Sequence, residues 1–165
     1  MEQFSIPIIS AIIERTKEGE TEILVQTRWK PESDPKYTGC LEIPAGKIDE
    51  FENVYETVKR EVLEETGLKV LEIYPNTKTK TYSPSEDGAF AFQPFCCQQQ
   101  IKGGNPYVGF VFICKVEDKE PKAQQEECKD THWIKKSELK KIFEETPEKI
   151  FSLQLGVLEY YFNHK

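Results

Sequence analysis

The stretch that most constrains this 165-residue chain runs from Gly46 to Leu68. Between Asn53 and Thr66 it holds neither proline nor glycine, and its Glu, Leu, Lys and Arg residues favour helix. The segment therefore predicts one helix of about four turns. Gly67 is the expected stop, because a residue without a Cβ takes the left-handed conformation at a helix end without strain. At about 100° per residue, Glu61, Glu64 and Glu65 fall within an arc of roughly 100° and form one acidic face. Val54, Tyr55, Val58 and Val62 occupy an adjoining arc, so the helix can bury an apolar side while its carboxylates open onto a cleft.

Glutamates on a helix are ordinarily solvated surface. Repulsion alone does not exclude that reading: two charges about 6 Å apart cost ~0.7 kcal/mol in water and ~3 kcal/mol at an effective dielectric of 20. A half-buried face of this kind needs a cation. Hard oxygen ligands on one side suit Mg²⁺ or Mn²⁺, with the remaining positions filled by water and substrate phosphate.

The complete spacing decides between the two. Gly46, five residues, Glu52, seven residues, then Arg60-Glu61-Val62-Leu63-Glu64-Glu65-Thr66-Gly67-Leu68 resembles the whole Nudix box, G-x5-E-x7-R-E-U-x-E-E-x-G-U with U aliphatic. Seven fixed residue types at about 7% each match by chance roughly once in 10⁸ starts.

The resemblance implies an α/β/α sandwich around a mixed sheet, and a hydrolase acting on a nucleoside diphosphate linked to a further moiety. It implies Glu61, Glu64 and Glu65 as metal ligands at the catalytic centre, with Glu52 and Arg60 in support. The guanidinium would orient the carboxylates as a planar donor fork. A main-chain carbonyl near Ala45 or Gly46 is a further implied ligand. One glutamate, from the box or from Glu126 and Glu127 in the acidic loop at 117–130, is expected to take the proton of the attacking water, and the sequence leaves open which.

Substrate contacts are read from flanking positions. Arg28, at the end of the second expected strand, is either an edge charge or, by resemblance, a phosphate contact. Glu42 is either solvated or turned toward the substrate. ADP-ribose pyrophosphatases of the family resemble one another in a proline shortly after the box, and Pro84, sixteen residues past Leu68, stands where it is expected. The implied reaction is cleavage of ADP-ribose or another nucleoside-diphosphate sugar to two monophosphates. A (d)NTP pyrophosphohydrolase releasing pyrophosphate is the alternative, and a nucleotide-binding module without catalysis is the third.

The rest of the chain reads as scaffold, and its length suits one domain over residues 1–165. A net charge of −7 disfavours a surface that tracks nucleic-acid phosphates. The five cysteines, Cys40, Cys96, Cys97, Cys114 and Cys128, are odd in number and form no C-x-x-C pair, which reads as buried thiols of a reducing compartment. The apolar run at residues 6–13 has no basic flank and is too short to span a bilayer, so a cytoplasmic protein, monomer or homodimer, is expected.

Strands are expected at 4–15, 22–29, 41–46, 69–80 with a break near Pro75-Asn76, 89–101 and 107–116. A short helix capped by Ser137 and a longer one starting at Thr146-Pro147 should follow. Phe90, Phe92, Phe95, Tyr107, Phe110 and Phe112 read mostly as core, with one or two free to stack on a base. His132 reads as a packing or surface residue.

Overall fold

The computed structural model describes residues 4–122, 126 and 128–165. A long first strand, β1 (Ile6–Lys17), turns at Glu18 and Gly19, both at positive φ, into antiparallel β2 (Glu20–Arg28). A left-handed pair at a two-residue hairpin matches the natural twist of the strands. Two short strands follow, β3 (Leu41–Glu42) and β4 (Ala45–Lys47), and then helix α1 (Val54–Thr66). Strand β5 (Val70–Tyr74), β6 (Cys96–Gln99), β7 (Tyr107–Val116) and β8 (Cys128–Lys135) complete the sheet. Helices α2 (Lys136–Glu145) and α3 (Leu155–His164) close the chain.

The sheet runs β3-β2-β1-β7-β5, with β4 added to β1, β6 to β7 and β8 to β2. Among the described strands β1 and β7 pair in parallel and the other pairs are antiparallel, so the sheet is mixed. Alternation along β1 divides two cores. Ile9, Ala11 and Ile13 join Leu24, Phe112 and the apolar side of α1, Val54, Tyr55, Val58 and Val62. Ile12 faces the other way, with Ile23, Val25, Val111 and Ile113, against Leu139 of α2 and Val157, Leu158 and Tyr161 of α3. This is the α/β/α sandwich expected from the sequence.

One irregularity positions the site. Residues 41–42 pair with β2, Gln26 opposite Glu42, whereas residues 45–47 pair with β1, Ser10 opposite Ala45. The chain changes partner at Ile43 and Pro44, and the sheet splays there. The Pro44 carbonyl accepts from Ala11 N–H at 2.9 Å. Ile43 has no strand partner at the switch; the buried Gln154 carboxamide takes its N–H at 2.7 Å and donates to its C=O at 2.9 Å. Buried backbone groups must be paired somewhere, and here a side chain from 111 positions away does it.

Several expectations need correction. The run at 89–101 is strand only at Cys96–Gln99; Phe90 and Phe92 instead pack on Tyr55 of α1, with single bridges at Phe92 to Lys78 and Ala89 to Tyr82. The strand expected from 69 does break where the sequence placed the break, ending at Tyr74 before a cis peptide bond to Pro75, but 75–80 does not resume as a strand. Ser137 lies inside α2, whose cap residue is Lys135 and has no side-chain cap bond. The long last helix is interrupted: Pro147–Lys149 and Ser152–Gln154 are 3-10 turns, because Ile150 bridges to Leu41 and Phe151 N–H donates to the Leu41 carbonyl at 2.8 Å. The cysteines are all free thiols, but only Cys114 and Cys128 are buried, and Cys97 is exposed. Among the described residues, no helix is long and apolar enough to cross a membrane.

Candidate active site

Helix α1 presents its carboxylates where the sheet splays. Asn53 caps its start, Oδ1 accepting from Tyr55 N–H at 2.9 Å, and Gly67, at φ 71°, ends it with its N–H on the Leu63 carbonyl. The segment is thereby held as one rigid unit from cap to cap.

Arg60 organises the acidic face. Its Nε and Nη2 bind the two oxygens of Glu52 at 2.8 Å each, the bidentate geometry that fits a guanidinium to a carboxylate. Its Nη1 reaches Glu61 at 2.7 Å and Glu64 at 3.3 Å, and Nη2 also donates to the Lys47 carbonyl at 3.1 Å. Glu52 further accepts from Thr57 Oγ at 2.8 Å and Asp49 N–H at 3.2 Å. The Arg60 hydrogen bonds hold the Glu52 carboxyl down at about 2. One side chain thus ties the loop before the helix, β4 and two box glutamates together.

The need for glycine at position 46 is spatial. Gly46 sits in β4 opposite Ile9, and a Cβ there would fall onto the Glu61 carboxylate. Any other residue at 46 would push Glu61 out of its place. Glu61 is 8% exposed, and burial raises its carboxyl despite Arg60. Glu65 is pushed up to about 8, first by burial and then by the charge of Glu42; its Oε2 accepts from Gln26 Nε2 at 2.9 Å and Ala45 N–H at 3.3 Å. Glu64 is the most open of the three, its side chain 45% exposed.

Glu42 is not surface. It is 8% exposed, raised by burial, and paired with Arg28 Nη1 at 3.0 Å. Arg28 is correspondingly more occupied than the sequence suggests: Nε and Nη2 bind Asp34 at 3.1 and 2.7 Å, and its guanidinium lies 4.3 Å from the centre of the Phe151 ring. It still lines the site.

Glu42, Gly46, Glu61, Glu64 and Glu65 line one open cavity of about 450 Å³, together with Arg28, Lys30, Lys47, Phe151 and Gln154. A groove of about 1550 Å³ continues from it, sharing Arg28, Lys30, Lys47 and Phe151 and extending past Gln98, Asn105 and Tyr160. Pro84 lines neither; it lies exposed in a bend. Glu126 is exposed, and Glu127 lies outside the described residues. His132 is exposed, with Nδ1 beside the Asp130 carbonyl.

The donor set fits a hard divalent cation. Four carboxylates, Glu42, Glu61, Glu64 and Glu65, and a strand backbone meet in one cavity, and burial disfavours the charge of Glu42, Glu61 and Glu65 in a way a cation would reverse. Among the described residues no trio of acidic, His or Cys side chains is already gathered at ligating distances. Glu61 and Glu64 turn to Arg60, and Glu65 turns to Gln26.

Sequence reasoning missed Gln26, Gln154, Lys47 and Phe151. Gln26 is 1% exposed with its Oε1 unpartnered among the described groups, and nothing in its polar flank Gln26-Thr27-Arg28, directly after the apolar run Ile23-Leu24-Val25, marks it as buried.

The NUDIX domain family model matches residues 6–154. Several solved structures share the fold. The NUDIX domain of Shewanella oneidensis NrtR, complexed with ADP ribose, superposes with a TM-score of 0.69 at 14% identity, covering 98% of this chain and 89% of that one. The MutT protein from Methanosarcina mazei Go1 gives 0.65 at 22% identity, covering 100% and 99%. A C. elegans Ap4A hydrolase binary complex gives 0.63 at 15%, covering 96% of each. No match to this chain was found among curated proteins. The chain belongs to the Nudix hydrolase family.

Proposed function

We propose that this protein hydrolyses a pyrophosphate bond in a nucleoside diphosphate derivative, most readily ADP-ribose or another nucleoside-diphosphate sugar, to two monophosphates. The observation that carries the reading is that Glu61, Glu64 and Glu65 line one cavity together with Arg28, Lys30 and Lys47. Acids for a cation and cationic side chains for phosphate therefore share one cavity. The structure with ADP ribose, a neighbour in fold, supports the choice of substrate.

Glu61, Glu64 and Glu65 would hold Mg²⁺ or Mn²⁺. When bound, the cation supplies charge neutralisation at phosphate and lowers the pKa of water. The chain's own residues do the rest. Arg60 fixes the orientation of Glu61 and Glu64, Gly46 leaves the room Glu61 requires, and Gln26 and the Ala45 N–H hold Glu65. Lys47 and Arg28 stand where they can draw the phosphates in against the repulsion of the acids. One of the box glutamates receives the proton of the attacking water.

The test is chromatographic product analysis with Mg²⁺ and, separately, ADP-ribose and a dNTP mixture. AMP released from ADP-ribose, with turnover reduced roughly 10²–10⁴-fold in Glu64→Gln, is the expected result. Glu64 is half exposed, so that variant should retain the fold. Pyrophosphate released from dNTPs alone would keep the chemistry and replace the substrate; unchanged activity in Glu64→Gln would overturn the site.

A further inference from the structure

One polar side chain of the groove beside the acidic cavity, Gln98, is held by both packing and a hydrogen bond. Lys47, Ile8, Gly109 and Gln98 form a continuous cross-strand row through β4, β1, β7 and β6. The row begins in the box and ends in the groove, three strand steps or about 14 Å away. Gln98 does not stand upright at its end. A Cβ on Gly109 would lie 2.8 Å from Gln98 Cγ, 3.0 Å from its Nε2 and 3.0 Å from Ile8 Cγ1, so the glutamine is folded flat over the glycine, back toward β1. Gly109 does not have a positive φ, which leaves this close approach as the reason for glycine there.

The carboxamide is then pinned. Gln98 Nε2 donates to Ser10 Oγ at 3.0 Å, and Ser10 is the register partner of Ala45, whose N–H donates to Glu65. Tyr107 OH lies 3.4 Å from Gln98 Oε1 and 3.2 Å from the Leu153 carbonyl. A hydroxyl has one proton, and the shorter contact takes it. Gln98 consequently keeps one Nε2 hydrogen and the lone pairs of Oε1 for a ligand in the groove. A fixed donor beside a fixed acceptor is the complement of the adenine N6/N7 edge. It is a mismatch for guanine, whose O6/N7 edge presents two acceptors.

We infer that Gln98 is a specificity residue that reads the heterocyclic base of the substrate and selects adenine over guanine, with Ser10 and Gly109 as its positioning residues. The inference rests on the proposed nucleotide substrate and adds the base.

The experiment compares kcat/KM for ADP-glucose and GDP-glucose, which differ only in the base, in the wild type, Gln98→Glu and Gly109→Ala. Calorimetric binding of AMP and GMP is measured on the same proteins, and thermal melts confirm folding. Gln98→Glu changes one group at nearly equal size, so it serves even if Gly109→Ala does not fold. The wild type should favour the adenine compound in both assays. Both variants should cut that preference roughly ten- to hundredfold, through KM, because two acceptors or a displaced amide no longer match the edge.

An unchanged preference in folded Gln98→Glu, or no base preference in the wild type, overturns the inference and leaves the hydrolase reading standing. Selective AMP binding that is lost in Gln98→Glu, without cleavage of either sugar nucleotide, sustains the inference and removes the hydrolase reading. A wild type that neither cleaves nor binds these compounds overturns both.

Discussion

Around Arg60, the side chains of Glu52, Glu61 and Glu64 meet within one loop and one helix, Arg60 reaching Glu52 eight positions back and Glu64 four positions on. In the groove beside them Ser10 meets Gln98 across 88 positions, and at the splay Ile43 meets Gln154 across 111. The acidic face of the helix is assembled by local geometry, the groove and the splay by tertiary pairing. A local site can be specified by spacing; a tertiary one is specified only once the sheet register is known. It follows that substitutions in the cavity should act mainly on chemistry, and those in the groove and at the splay mainly on selectivity or stability.

The sharpest way to break that division is Gly46→Ala. Its new Cβ falls on the Glu61 carboxylate, and a displacement on the order of 1 Å at a reacting centre costs about 10²-fold in rate. Steady-state kinetics beside a thermal melt should show the rate lost with little change in melting temperature. A variant with full activity would show that Glu61 is not needed where it stands.

Gln154→Leu tests the tertiary side. It strips Ile43 of both its backbone partners while keeping the side-chain bulk, and should cost about 2 kcal/mol of stability in a denaturant titration. An unchanged midpoint would mean that water satisfies Ile43 at the partner switch.

A smaller effect is expected at Arg60. Its partners are partly exposed, so Arg60→Leu should cost about 1 kcal/mol at neutral pH, and less at high salt. Its signature is the pH dependence. The Glu52 carboxyl lies at about 2 in the fold against an ordinary 4.5, so its contribution is fully present above pH 4.5 and is lost as pH falls from 4.5 toward 2. The unfolding free energy of the wild type should fall with acid across that window, and that of Arg60→Leu should fall less, since only the Thr57 and Asp49 hydrogen bonds then hold the Glu52 carboxyl down.

The same contrast explains what could be read from the chain beforehand. The box helix, its glycine stop and its acidic face were legible because each rests on residues within a turn or two of one another, and Gly46 was visible as a fixed position although its reason, the Glu61 carboxylate, was not. The three-layer architecture followed from the resemblance, and the alternation in β1 bears it out. Phe90 and Phe92 misled as a strand because alternation reports only that one face is buried; their partner is Tyr55 on a helix rather than a neighbouring strand. The apolar stripe through Ile150 and Tyr161 hid the break at Phe151, which is set by a bond to Leu41 more than a hundred residues earlier. Gln98 lay within a run of glutamines, Gln98-Gln99-Gln100, that nothing local distinguishes.

The central claim is that Glu61, Glu64 and Glu65 form a divalent-cation site. Calorimetric titration of Mn²⁺ into the wild type, Glu61→Gln and Glu64→Gln, without nucleotide, tests it independently of any substrate. The account predicts saturable binding in the wild type, weakened at least about tenfold in each variant. Equal affinity and stoichiometry in all three proteins would contradict it.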